Sequence, residues 1–259
     1  GGSSVDAMAF VNTKAPDKGS LKITKTVAGV RDWDDVKSTI TFTVKGPEYA
    51  SETNGQKTFT STDFPSGTLE LTDILVGDYT ITETKTDIDG VTVTTTYTVN
   101  SGNPTTGSST TCAVAKGSTT TVAFTNTYAY KPVDVTLKAT KTLTQNGQQI
   151  SMTANQFSFK LTDVTDSSNP VDKGTAYNTV DGDVTFSKLS FDKVGTYKYT
   201  VEEVNGGDTT ITYDTTKYNV EIVVAEDATG ALKATTTMTK VGGSSVDAMA
   251  FVNTKAPDK

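Results

Sequence analysis

Alternation of apolar and polar residues with a period of two governs what this chain can become. In Ile40-Thr-Phe42-Thr-Val44, and again in Phe157-Ser-Phe159-Lys-Leu161, every second side chain is apolar. An extended strand with that pattern buries one face and wets the other. Such segments recur along the chain, punctuated by Asn54-Gly55, Asp89-Gly90, Asn146-Gly147, Asp181-Gly182 and Gly206-Gly207, pairs that favour tight turns. Helical periodicity is nearly absent, and only Val30 to Lys37, with Trp33, reads as a helical turn or packed loop. The expectation is an all-β chain built from β-sandwiches.

Its 259 residues suffice for two domains, each with its own core. One repeat organises them. Gly1 to Lys18 reads GGSSVDAMAFVNTKAPDK, and Gly242 to Lys259 reads the same without a change. Three explanations stand: one period plus an overlap of a tandem array, a strand that completes a neighbouring molecule's domain, or an engineered duplication. Identity at this level suggests a long fibre of near-identical modules. The expected organisation is residues 1–18 as the closing strand of a preceding repeat plus linker, a first domain over 19–130 and a second over 131–259.

Charge and rare residues exclude whole classes of function. A net charge of −7 argues against nucleic-acid binding, and no apolar run approaches the roughly 18–20 residues of a membrane span. With no histidine, Ser–His and Cys–His nucleophiles and His-based zinc sites cannot be built. The single cysteine, Cys112, allows no intrachain disulfide, so toughness outside the cell would have to come from elsewhere.

Side-chain parity marks residues on the wrong face. In Leu21-Lys-Ile23-Thr-Lys25-Thr-Val27, Lys25 shares the parity of the apolar residues, and in Val135-Thr-Leu137-Lys-Ala139-Thr-Lys141-Thr-Leu143 so does Lys141. Glu83 follows Tyr79 and Ile81 on the inner face, and Glu203 follows Tyr199 and Val201. Asn126 closes Phe124-Thr-Asn126, and Asn253 closes Met249-Ala-Phe251-Val-Asn253. Each domain therefore carries, in order, an inward Lys, Glu and Asn.

A charged lysine in an apolar core costs several kcal/mol unless paired or neutralised. Burial lowers its pKa and raises that of a nearby carboxyl, which favours a neutral amine beside a protonated acid. Such an amine is a nucleophile and an asparagine carboxamide its electrophile. Attack on Cγ with loss of ammonia leaves an amide, and the acid shuttles protons without being consumed. On the residues alone two other readings stay open: a buried Lys–Glu ion pair with a hydrogen-bonded Asn, and surface residues misread by one register.

The motifs LKITKTV, ILVGDYTITET and VAFTNTY resemble Cna B-type domains of Gram-positive surface proteins and pilins. The second domain, with LKATKTL, VGTYKYTVEEV, ITYDTTKYNVEIVV and AFVNTK, resembles the N-terminal isopeptide-linkage domain of streptococcal-type major pilins, and the first their C-terminal domain. The resemblance implies immunoglobulin-like sandwiches, each with a Lys–Asn bond between its first and last strands. By position the pairs are Lys25–Asn126 with Glu83, and Lys141–Asn253 with Glu203, the glutamates being catalytic. It further implies a secreted, cell-wall or cell-surface structural protein rather than an enzyme. Its partners would be neighbouring copies along a fibre, with a host surface ligand as a further partner, and it would need no metal or cofactor. Neither an LPxTG-type sorting signal nor an obvious lysine motif for sortase is present.

Some features are set aside. Asp87-Ile-Asp89-Gly90 lacks the remaining ligands of a calcium loop, Cys112 reads as a small apolar strand residue, and the stretch from Ser101 reads as an exposed loop. Two alternative functions remain beside the structural fibre: a ligand-binding adhesin module, and a subunit that polymerises by terminal strand exchange through residues 1–18. Asn12, the twin of Asn253, has no Lys and Glu preceding it, so it is an orphan strand residue.

Overall fold

The computed structural model describes residues 14–258. Contacts divide them into two compact units, residues up to 88 with 92–129, and residues 89–91 with those from 130 onward.

The first unit is built from β1 (Lys18–Gly29), β2 (Ile40–Lys45), β3 (Gln56–Thr60), β4 (Thr68–Leu75), β5 (Gly77–Lys85), β6 (Val91–Val99), β7 (Thr105–Thr106), β8 (Ser109–Val114) and β9 (Thr119–Tyr130). These form a five-stranded sheet, β4-β1-β9-β6-β7, and a four-stranded sheet, β3-β2-β5-β8. The alternation read in the sequence is what lets two such sheets face each other. Leu21 and Ile23 of β1, Phe42 and Val44 of β2, Tyr79 and Ile81 of β5, and Val122 and Phe124 of β9 are all buried, while the threonines between them lie at or near the surface. Fully burying one such side chain contributes about 1.5–3 kcal/mol.

The one α-helical turn among the described residues, α1 (Trp33–Val36), is capped by Asp32, whose side chain accepts from the backbone of Asp34 and Asp35. Trp33 donates its ring N–H to the Pro65 carbonyl at 2.9 Å, so it packs as a loop anchor.

The second unit contains β10 (Val133–Val135), β11 (Lys138–Gln145), β12 (Gln148–Ile150), β13 (Ser158–Asp163), β14 (Val171–Tyr177), β15 (Asp183–Thr185), β16 (Leu189–Phe191), β17 (Gly195–Val204), β18 (Ile211–Thr212), β19 (Lys217–Glu226), β20 (Leu232–Lys240), β21 (Ser245–Val246) and β22 (Met249–Lys255). One sheet runs β12-β11-β22-β18, with β15 also on β11, a second runs β14-β13-β17-β19-β20-β21, and β10 and β16 pair as a two-stranded third. Asn146-Gly147 joins β11 and β12 as the two-residue hairpin its composition predicts. Asp89-Gly90, by contrast, joins strands of different sheets and makes no hairpin, because local turn chemistry sets the bend and not the sheet that receives the next strand.

In both units the first long strand pairs in parallel with the last. Lys25 lies opposite Phe124 and Val27 opposite Asn126, while Lys141 lies opposite Phe251 and Leu143 opposite Asn253. A parallel pair needs a long crossover, which here is the whole intervening domain. On its other edge each lysine-bearing strand meets a left-handed glycine: the Lys25 N–H donates to the Gly67 carbonyl at 2.6 Å, and the Lys141 N–H to that of Gly182 at 2.7 Å. Gly67 has φ +76 and Gly182 φ +89, and a Cβ at either would press on the carbonyl of the same lysine.

Gly67→Ala and Gly182→Ala should therefore each destabilise their unit by about 1–3 kcal/mol, from left-handed strain plus the clash. Urea unfolding checks this, and unchanged midpoints would contradict it.

Candidate functional site

The inward lysine, glutamate and asparagine of each unit converge on one point in its core. In the first unit, Lys25 Nζ lies 2.8 Å from Glu83 Oε2, and Asn126 Nδ2 donates to Glu83 Oε1 at 2.6 Å. In the second, Lys141 Nζ lies 2.7 Å from Glu203 Oε2, and Asn253 Nδ2 donates to Glu203 Oε1 at 2.7 Å. A single carboxyl thus holds an amine on one oxygen and a carboxamide on the other, twice. Neither lysine nor either glutamate exposes any side-chain surface.

Strand register explains why. The asparagine sits two residues beyond the residue paired with the lysine, on the same face of the neighbouring parallel strand. That diagonal is within reach of a long side chain. The acid comes from the facing sheet, Glu83 opposite Phe42 and Glu203 opposite Phe159. Those phenylalanines pack on the residues paired with the lysines, Phe42 on Phe124 at 5.2 Å and Phe159 on Phe251 at 5.0 Å between ring centres. Lys141 Nζ also lies 4.7 Å from the centre of the Phe157 ring. Both triads are therefore walled by aromatic rings, and these supporting residues follow only from register.

Burial dominates the electrostatics. It lowers the Lys25 pKa from its ordinary 10.5 to about 8, against the opposing pull of Glu83. Lys141 is lowered for the same reason against Glu203, and burial raises the Glu203 carboxyl. Both shifts favour the uncharged forms.

The second unit holds its asparagine at both ends. Asn253 Oδ1 accepts from the Asp214 N–H at 2.7 Å, and the Asp214 carboxylate in turn accepts from the Val252 N–H and the Thr216 N–H, both at 2.8 Å. Asp214 was not singled out in the sequence, although Asp214-Thr-Thr216 is a recognisable local turn in which an Asp side chain bonds the backbone two residues on. Tyr218 adds a clamp on β22: its hydroxyl donates to the Ala250 carbonyl at 2.7 Å and accepts from the Ala250 N–H at 3.0 Å.

Among the remaining candidates, Cys112 is buried on β8, and burial pushes its thiol up to about 11, away from nucleophilic character. Asn100 and Ser101 lie in an exposed turn. Among the described residues no group of three or more acidic or cysteine side chains is placed to hold a metal, and no helix is long and apolar enough to cross a membrane. Asn12 lies outside the described residues.

Residues 137–256 match the family model FctA, the Spy0128-like isopeptide containing domain. Residues 21–129 match DUF5979, a domain of unknown function. No curated protein matches the chain. Among solved structures, similarity extends to two B repeat units of the collagen binding protein of Staphylococcus aureus, at 13% identity over 93% of this chain and 74% of that one, with a TM-score of 0.30. The major pilin from Streptococcus pyogenes is 18% identical over 92% of this chain and 99% of its own, with a TM-score of 0.23. GBS52, the minor pilin of Streptococcus agalactiae, is 11% identical over 93% and 98%, with a TM-score of 0.25.

The Lys25 shift carries a sign that can be measured. In an Asn126→Ala chain the lysine and glutamate remain without the carboxamide. The folded amine releases its proton at about 8 while the unfolded one holds it to 10.5, so the unfolded chain binds more protons in between. Stability of the first unit should then rise with pH between about 8 and 9.5. Urea midpoints across that range check it, and Lys25→Met should abolish the rise.

Proposed function

We propose that this chain, whose second unit matches the model of the Spy0128-like isopeptide containing domain, is a structural segment of a Gram-positive surface fibre or pilus, each unit locked by its own Lys–Asn isopeptide bond. The observation that carries this reading is the shared carboxyl, which takes the amine on one oxygen and the carboxamide on the other in both units.

Neutral Lys Nζ attacks the Asn Cγ, a C–Nζ bond forms, and the C–Nδ2 bond breaks. One amine proton passes through the glutamate to the departing nitrogen, which leaves as ammonia. The carboxyl ends as it began. Fixed placement in a dry core supplies the acceleration that dilute amine and amide lack. This is one turnover per unit with no external substrate, so the role is structural rather than enzymatic. Spanning about 100 residues in each unit, the bond also restricts the unfolded chain by the loop-closure logic of a disulfide, yet no reductant opens it.

A second reading, polymerisation by strand exchange, is favoured by the identity of residues 1–18 with residues 242–259. The latter copy contains β22, the strand that carries Asn253 beside Lys141. A neighbouring molecule's first residues have the sequence to fill the same slot. Deleting residues 1–18 should then abolish oligomers in light scattering, and unchanged assembly would remove this reading.

Intact mass tests the main reading. Each bond removes one ammonia, about 17 Da, so the chain should weigh about 34 Da less than its sequence. Glu83→Ala and Glu203→Ala should each restore one ammonia. A chain at its full sequence mass would overturn the proposal.

A further inference from the structure

Among the described residues, two buried side-chain polar atoms have no hydrogen-bond partner: Asn126 Oδ1 and the Tyr128 hydroxyl. One is an acceptor and the other a donor. They belong to residues two apart on β9, so their side chains leave the same face of one strand. Buried polar groups are normally satisfied, and an unpaired pair at a candidate reaction centre calls for a reason.

The second unit supplies the comparison. There the asparagine oxygen is already bonded, to the Asp214 N–H at 2.7 Å. The position two residues after Asn253 is Lys255, whose ammonium turns outward to Asp258 at 3.2 Å. The second unit therefore has a backbone donor and no hydroxyl at that place, whereas the first has the hydroxyl and no other donor bonded to the oxygen.

We propose that Tyr128 is a catalytic residue of the first unit, its hydroxyl donating to Asn126 Oδ1 as that oxygen becomes negative, the part played by the Asp214 N–H in the second unit. The inference rests on the isopeptide reading given above. When Lys25 Nζ bonds to the Asn126 Cγ, the carbonyl electron pair moves onto Oδ1 and returns when the C–Nδ2 bond breaks and ammonia leaves. A donor aimed at that oxygen in a dry site stabilises the intermediate far more than the same bond would in water. Such bonds are often long or misaligned before reaction and tighten as charge develops, which accounts for two unsatisfied atoms on residues two apart on one strand in the unreacted geometry. The hydroxyl keeps its proton throughout and serves only as a donor. Burial raises its pKa, with the Asn126 side chain drawing it down and the Glu83 charge raising it again, so it remains a phenol at neutral pH.

The test uses the full chain carrying Glu203→Ala, in which only the first unit can react, with and without Tyr128→Phe. Intact mass is followed from synthesis onward. The parent should lack one ammonia at the first time point, and the Tyr128→Phe chain should lose it about 10²–10³-fold more slowly, the usual consequence of removing one such donor. Equal time courses would overturn the role of Tyr128 while leaving the cross-link intact. A parent that loses no ammonia would overturn the cross-link reading itself and this inference with it.

Thermal unfolding of Glu83→Ala chains, with and without Tyr128→Phe, separates chemistry from folding, because no bond forms in the first unit of either. Similar transitions there, together with slowed ammonia loss, support the proposal. A readout independent of any variant is a crystal structure of the unaltered chain. The Tyr128 hydroxyl must then donate to the amide oxygen that was Asn126 Oδ1, and a hydroxyl bonded elsewhere overturns the assignment.

Discussion

The parallel pairing of β1 with β9, and of β11 with β22, is the contact on which both sites depend. Adjacent parallel strands show one face to the same core, so residues offset by two along them lie on a diagonal that a lysine can span. A slip of one residue would send either the lysine or the asparagine to solvent. Parallel neighbours also start and finish at the same ends. Force applied to the beginning of the first strand and the end of the last therefore shears the ladder lengthwise. In the proposed role, a covalent bridge between those strands takes that load directly.

Within this frame the decisive quantity is the cost of a dry charge. An ammonium as fully buried as that of Lys25 or Lys141 cannot be solvated, and a lone carboxylate only partly compensates for lost water. Burial outweighs the ion pair at Lys25 and Lys141. In the proposed chemistry, the same penalty that would destabilise an ordinary core prepares a nucleophile. Conversion of amine, acid and carboxamide into an amide would remove the unfavourable lysine altogether, so the chemistry relieves the strain that promotes it.

The units share this inner arrangement down to the register of the aromatic pairs, yet differ just outside it. Asp214 ties a loop to β22 and directs an N–H at Asn253, while the first unit places Tyr128 on the strand itself. In the proposed chemistry one donor is needed at the asparagine oxygen, and a backbone group or a side chain can meet that demand, because the oxygen responds to position and polarity rather than to residue type.

Much of this is legible in the residues themselves. Period-two alternation determined the strands and the buried faces, and parity alone singled out Lys25, Glu83, Asn126, Lys141, Glu203 and Asn253, because a strand has only two sides and a charged residue on the apolar one is conspicuous. Asn146-Gly147 specified its hairpin for an equally local reason. Tertiary structure decided the rest. It brought β5 and β17 over the paired terminal strands, set Gly67 and Gly182 against the lysine backbones, and placed the Asp214 N–H on the Asn253 oxygen. Those contacts join residues distant in the chain, and periodicity carries no information about them.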